Sequence, residues 1–159
     1  MIEIGAGETT KISLKALQMN KNEGNSYKFH TIEQYPRDDV KKIQNEDFEL
    51  IHCKLQDVDI ELLSTADLLF IDSSHVSKID SDVNYEILEI IPELLLVSLA
   101  DWLCIVIEMN YWKEWIENGN QFWNESYMVH SFMLFNESFK TIWAARYMKL
   151  NYTNEMQQI

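Results

Sequence analysis

The chain has 159 residues, which fits one domain, and its 47% hydrophobic and 25% charged residues are the mix of a folded protein. Acidic residues number 26 against 13 basic ones, a net charge of -13. A surface that negative repels phosphate backbones, so nucleic acid is not an expected partner. The nearest basic stretch, residues 37–42, holds Arg37, Lys41 and Lys42 but also Asp38 and Asp39.

Met1-Ile-Glu-Ile4 is a short apolar run that stops at Gly5-Ala-Gly7. Thr9 and Thr10 then precede Ile12, Leu14, Ala16 and Leu17, which keep a helical rhythm. The reading is strand, glycine turn, helix. Residues 22–26 form a polar turn around Gly24. Residues 27–33 alternate well enough for a second strand, and Pro36 suits the first turn of a helix continued by residues 37–44.

Residues 48–54 read as a third strand and residues 60–63 as a short helical piece. Ala66-Asp-Leu-Leu-Phe-Ile71 is a nearly continuous apolar run ending at Asp72, the pattern of a strand covered on both faces. Ser81 or Asp82 caps a helix running to about Leu95, with Val83, Ile87, Ile90 and Ile91 on one side. Residues 99–107 are the next buried strand. Residues 111–118 and 121–135 are aromatic-rich and predicted helical. Residues 139–148 are predicted to be a late strand, and the polar tail from Asn151 is predicted to fray. Acidic and glycine residues follow Met1, which argues against a secretory leader. The apolar run 87–109 is broken by Glu89, Pro92, Glu93, Asp101 and Glu108, too often to span a membrane. Cys53 and Cys104 lie in apolar stretches and read as reduced core thiols. A cytoplasmic protein is the expectation.

Strands alternating with helices argue for a mostly parallel sheet with helices on both faces. Such sheets bind ligands beyond the C-terminal ends of their strands, where strand order reverses. Each polar cluster of interest follows a predicted strand. Gly5 and Gly7 allow a sharp turn and a close ligand approach, with helix amides aimed at the site. The third glycine of the dinucleotide fingerprint is missing, with Thr10 near its place, so a smaller nucleoside ligand fits better than a dinucleotide. Glu33 ends the second strand, where a carboxylate accepts hydrogen bonds from ribose hydroxyls. Gln56-Asp57 follows the third strand and offers an amide and a carboxylate to a base edge; standing alone, such a pair is more often a loop or helix cap. Asp72-Ser-Ser-His75 follows the fourth strand, and an Asp and a His at that spacing share a proton or a metal, unless the serines simply turn the chain.

The order Glu3-Ile-Gly-Ala-Gly-Glu-Thr-Thr10, Ile32-Glu-Gln-Tyr-Pro-Arg37, Gln56-Asp57, Leu69-Phe-Ile-Asp-Ser-Ser-His-Val76, Ser81-Asp-Val-Asn-Tyr85, Phe122-Trp-Asn-Glu-Ser-Tyr127 and Trp143-Ala-Ala-Arg-Tyr147 resembles the class I S-adenosylmethionine-dependent methyltransferases, in the branch with a D-x-x-H segment after strand four. The resemblance runs over nearly the whole chain. It implies a Rossmann-like α/β fold over residues 1–150, with 151–159 as a tail. It implies that S-adenosylmethionine is held by Glu3, Gly5, Ala6, Gly7, Glu33, Gln56, Asp57 and Asp72. Asp72 and His75 would serve the reaction, with His75 as candidate base or metal ligand, on a small-molecule acceptor methylated at oxygen; a divalent metal is allowed for but not expected. Two features depart from the family pattern. The first strand is short, and the helical lid that relatives carry before it is expected to be absent here, which would leave apolar area for self-association. Val97 stands where relatives carry glycine, and Leu103-Cys104 where they carry His-Asp. These departures raise the alternative of a relative that keeps the fold without turnover.

Overall fold

Short strands of three or four residues build the centre of this chain. In the computed structural model, which describes residues 1–94, 99–102 and 111–157, β1 (Ile2–Ile4), β2 (Phe29–Ile32), β3 (Phe48–Ile51), β4 (Leu68–Ile71) and β5 (Leu99–Trp102) form one sheet. Its order is β3-β2-β1-β4-β5, and every pairing is parallel. Ile2, Ile4, Phe29, Ile32, Leu69 and Ile71 are buried, as parallel strands covered on both faces require. The protein is thus α/β, with a parallel sheet and helical crossovers.

Strand order runs outward from β1 to β3, then returns to β4 on the other side of β1, so the reversal lies between β1 and β4. Right-handed crossovers then send α1 (Glu8–Asn22) and α2 (Asp38–Lys41) to one face. They send α3 (Ile60–Ser64) and the helical run after β4 to the other. In keeping with this, α3 packs against that run. Local chemistry sets the starts. Asp59 accepts the Glu61 N–H at the head of α3, and Ser81 Oγ accepts the Asn84 N–H at 3.2 Å at the head of α4 (Asp82–Tyr85).

The helix expected from Ser81 or Asp82 is present, but not as one regular α-helix. After α4 it widens into a π-helical segment, Glu86–Ile90, and closes as α5 (Ile91–Glu93). Val83, Ile87, Ile90 and Ile91 face the core as their spacing requires. The second strand is shorter than expected, Phe29–Ile32 rather than 27–33. The expected strand 99–107 is present over Leu99–Trp102; Val97, Leu103 and Cys104 lie outside the described residues.

The chain divides into two compact units, Met1–Ser74 with Lys78–Leu103, and His75–Ser77 with Cys104–Ile159. The second unit carries α6 (Lys113–Glu117), α7 (Glu125–Met133), α8 (Ala145–Asn151) and α9 (Thr153–Met156). The late strand expected over 139–148 is not formed. Only Thr141 and Ile142 in that stretch are β-branched, whereas Ala145, Arg146, Met148, Lys149 and Leu150 are good helix formers, and α8 takes them. The polar tail is helical as well, over Thr153–Met156. Among the described residues no helix is long and apolar enough to cross a membrane.

Candidate functional site

The first unit holds a cavity of about 440 Å³ beyond the C-terminal ends of its strands, a volume suited to a small ligand. Its walls come from the ends of β1 (Ile4, Gly5), β2 (Ile32, Glu33) and β4 (Asp72, Ser73, Ser74), with Cys53 and Gln56 after β3 and Lys78, Asp80 and Asp82 before and within α4. It therefore sits at the point where strand order reverses. Four carboxylates (Glu33, Asp72, Asp80 and Asp82) and two ammonium groups (Lys54 and Lys78) line it.

Gly5 makes the closest approach. Its φ is +88°, in the region that favours glycine, and its N–H donates to the Ile32 carbonyl at 3.0 Å. A Cβ there would lie 1.9 Å from the Asp72 carbonyl oxygen. Asp72 in turn donates its N–H to Ile4 O at 2.8 Å, which carries the β1–β4 ladder one residue past the strand. The glycine turn and the β4 loop are thus packed backbone to backbone.

Gly7 differs from Gly5. Its φ of -168° is ordinary extended backbone, and a Cβ would meet nothing within 4 Å. Gly7→Ala is expected to leave the unfolding free energy within about 1 kcal/mol of the wild type by urea denaturation. What fixes residue 7 is its N–H, which donates to Thr10 Oγ1 at 3.0 Å.

Thr10 Oγ1 passes the connection on to Glu3 Oε2 at 2.6 Å, and Thr31 Oγ1 donates to the same oxygen at 2.6 Å. The β1–β2 register places Glu3 directly beside Thr31. Glu3 is fully buried, with 0% exposure, and burial raises its pKa above the usual carboxylate value. The hydroxyls of Thr10, Thr31 and Thr9 pull the other way, and the Asp72 charge adds a small upward push. Glu3 therefore braces the glycine turn from inside the fold and is not among the cavity-lining residues.

Glu33 stands in the cavity wall with its carboxylate already engaged. Oε2 accepts the Ala6 N–H at 3.1 Å and Oε1 accepts the Tyr35 N–H at 2.8 Å. Each oxygen keeps a second lone pair. Gln56 also lines the cavity and donates Nε2 to the Asp80 carbonyl at 3.3 Å. Its neighbour Asp57 is exposed at the end of the 3-10 turn Leu55–Asp57 and lies outside the wall, as do Ala6 and Gly7. Cys53, which its sequence context suggests is a core thiol, is instead a half-buried wall residue, its pKa raised by burial and then by the Asp57 charge.

His75 belongs to the second unit and does not line the cavity. It is buried, with φ at +62°, and its Nδ1 meets Glu125 Oε1 at 2.6 Å. Trp123 lies against the imidazole, ring centres 4.4 Å apart. Asn124 completes the knot: its N–H donates to the His75 carbonyl at 3.0 Å, and its side chain bonds Ser77 in both directions. Tyr111 receives the Ser126 N–H at 2.9 Å and packs edge-on to Tyr127. Of the residues expected at the site, Gly5, Glu33, Gln56 and Asp72 are brought together, while Glu3, Ala6, Gly7, Asp57 and His75 stand outside the wall. Among the described residues no group of three or more His, Cys, Asp or Glu side chains is placed to hold a metal ion.

Compared with family models, curated proteins and solved structures, the chain matches none of them.

Proposed function

We propose that the first unit is a nucleoside-binding module of Rossmann-like type, with its ligand at the β1–β4 reversal. More narrowly, we propose an S-adenosylmethionine-dependent methyltransferase acting on a small molecule, at a hydroxyl group. The observation that carries this reading is one wall made of Gly5 with φ at +88°, Glu33 at the end of β2 and Asp72 at the end of β4, around about 440 Å³.

The residues fit the cofactor. Gly5 lets the glycine turn pack directly on the Asp72 backbone to shape the wall, and Glu33 keeps a lone pair on each oxygen for the ribose hydroxyls. Gln56, also in the wall, would offer its side-chain amide to the base. When bound, S-adenosylmethionine supplies a methyl group activated by a sulfonium centre. The chain's own residues bind and orient, and orientation supplies much of the acceleration in such a transfer. A hydroxyl acceptor must also lose its proton, and Asp72 is the carboxylate proposed to take it.

A second reading is a chain that binds the cofactor without turnover. One observation favours it: His75, the expected base, is tied to Glu125 within the second unit. Both readings share the cofactor, and neither calls for nucleic acid or a membrane.

Equilibrium dialysis with labelled S-adenosylmethionine tests the shared part. Glu33→Ala is expected to weaken binding roughly 10–100-fold, the loss of hydrogen bonds to a charged group. Equal binding by wild type and Glu33→Ala would remove Glu33 from the site and the reading with it.

A further inference from the structure

Two carboxylates, Asp82 and Glu86, reach back from the helical run to the loop that ends β4. Ser73 Oγ donates to Glu86 Oε2 at 3.1 Å. Ser74 donates its N–H to Asp82 Oδ2 at 2.9 Å and its hydroxyl to Asp82 Oδ1. Asp82 and Glu86 are four residues apart, so they stand one above the other on one helix face. The turn between them is closed, with the Glu86 N–H on the Asp82 carbonyl. Glu86 then opens the π-helical segment, a geometry frequent at functional sites.

Glu86 is 0% exposed. Burying a carboxylate is costly, and a helix face that needed only to pack would carry an apolar residue there, like its neighbour Ile87. Buried polar networks instead fix one geometry. What this one fixes is the backbone on which the glycine turn rests, because the Cβ position of Gly5 abuts the Asp72 carbonyl.

We propose that Asp82 and Glu86 form a two-carboxylate clamp, with Glu86 as a positioning residue that holds residues 72–74 in place for the cofactor cavity. Glu86 acts through Ser73 and is not in the cavity wall, whereas Ser73, Ser74 and Asp82 are. The positioning role rests on the cofactor reading above; the clamp itself does not.

Two readouts separate them. Amide hydrogen exchange at Asp72 and Ser74, whose N–H groups are bonded to the Ile4 carbonyl and to Asp82, reports the clamp, and the affinity for S-adenosylmethionine reports its use. Glu86→Met is expected to speed exchange at both amides and to weaken S-adenosylmethionine, each by about tenfold. Glu86→Gln keeps an acceptor for Ser73 and is expected to stay within about threefold of wild type in both. If Glu86→Met fails to fold, Asp82→Ala reads the other arm, with faster exchange expected at Ser74. Unchanged exchange in the folded variants overturns the clamp. Faster exchange with unchanged affinity overturns the positioning role. Absence of binding by the wild-type chain sinks the cofactor reading and the positioning role, while exchange still decides the clamp.

Discussion

Gly5→Ala is expected to destabilise the chain by roughly 3–5 kcal/mol and to abolish S-adenosylmethionine binding by whatever remains folded. Two independent costs combine. The backbone at φ +88° is strained for any side chain. The new Cβ would also sit 1.9 Å from the Asp72 carbonyl oxygen and 2.7 Å from its carbon, both backbone atoms that cannot swing aside. Relief requires the glycine turn and the β4 loop to separate, and those are two walls of the cavity. Urea denaturation reads the first effect and equilibrium dialysis the second. The contrast with Gly7→Ala makes the test specific, since the two glycines are two residues apart and only one is required by its conformation.

The second large effect is expected at Glu3. Glu3→Ala removes the acceptor shared by Thr10 and Thr31, leaves those hydroxyls buried, and opens a void beside the sheet. A loss of about 3–4 kcal/mol is expected. The pH dependence tests the cause. The Glu3 pKa is raised in the folded chain, first by burial, so as pH climbs past the ordinary carboxylate value of 4.5 the unfolded chain gives up this proton before the folded chain does. The folded state then holds more protons at Glu3, and stability falls with rising pH. The contribution is complete below the unfolded value and is lost as pH rises through the folded one. Asp39 and Asp47, whose pKa values are lowered by hydrogen bonds from Lys11 and Lys21, have the opposite sign. The difference between wild type and Glu3→Gln isolates Glu3. That difference is expected to be most favourable to wild type near pH 4 and to shrink toward pH 7, measured by urea midpoints across the range. A difference that grows toward neutrality would show that the threonine hydroxyls outweigh burial.

What the sequence reveals follows the range of the forces involved. The apolar runs at Leu68–Ile71 and Ile2–Ile4 are legible because a parallel strand must be apolar on both faces. The start of α4 is legible because Ser81 caps it locally. Gly5 is legible as a turn, but Gly7 looks the same in sequence, and only the fold separates a glycine with positive φ from one that is merely extended. The late strand misleads because its first residues are aromatic and β-branched while the alanine-rich half decides the outcome.

The site residues that escape notice are those whose partners are distant. Thr31 matters only through the register that puts it beside Glu3. His75 suggests shared chemistry with Asp72 because they are near in sequence, yet it is held by Glu125, 50 positions away. Glu86 lies in an apolar stretch, and the one local hint is its spacing of four from Asp82.

The most direct test of the account is titration of the isotopically labelled chain with S-adenosylmethionine, followed by amide chemical shifts. Saturable shifts are expected at Gly5, Glu33, Gln56 and Asp72. A well-dispersed spectrum that does not change on addition of the cofactor, or changes confined to residues 111–157, would contradict it.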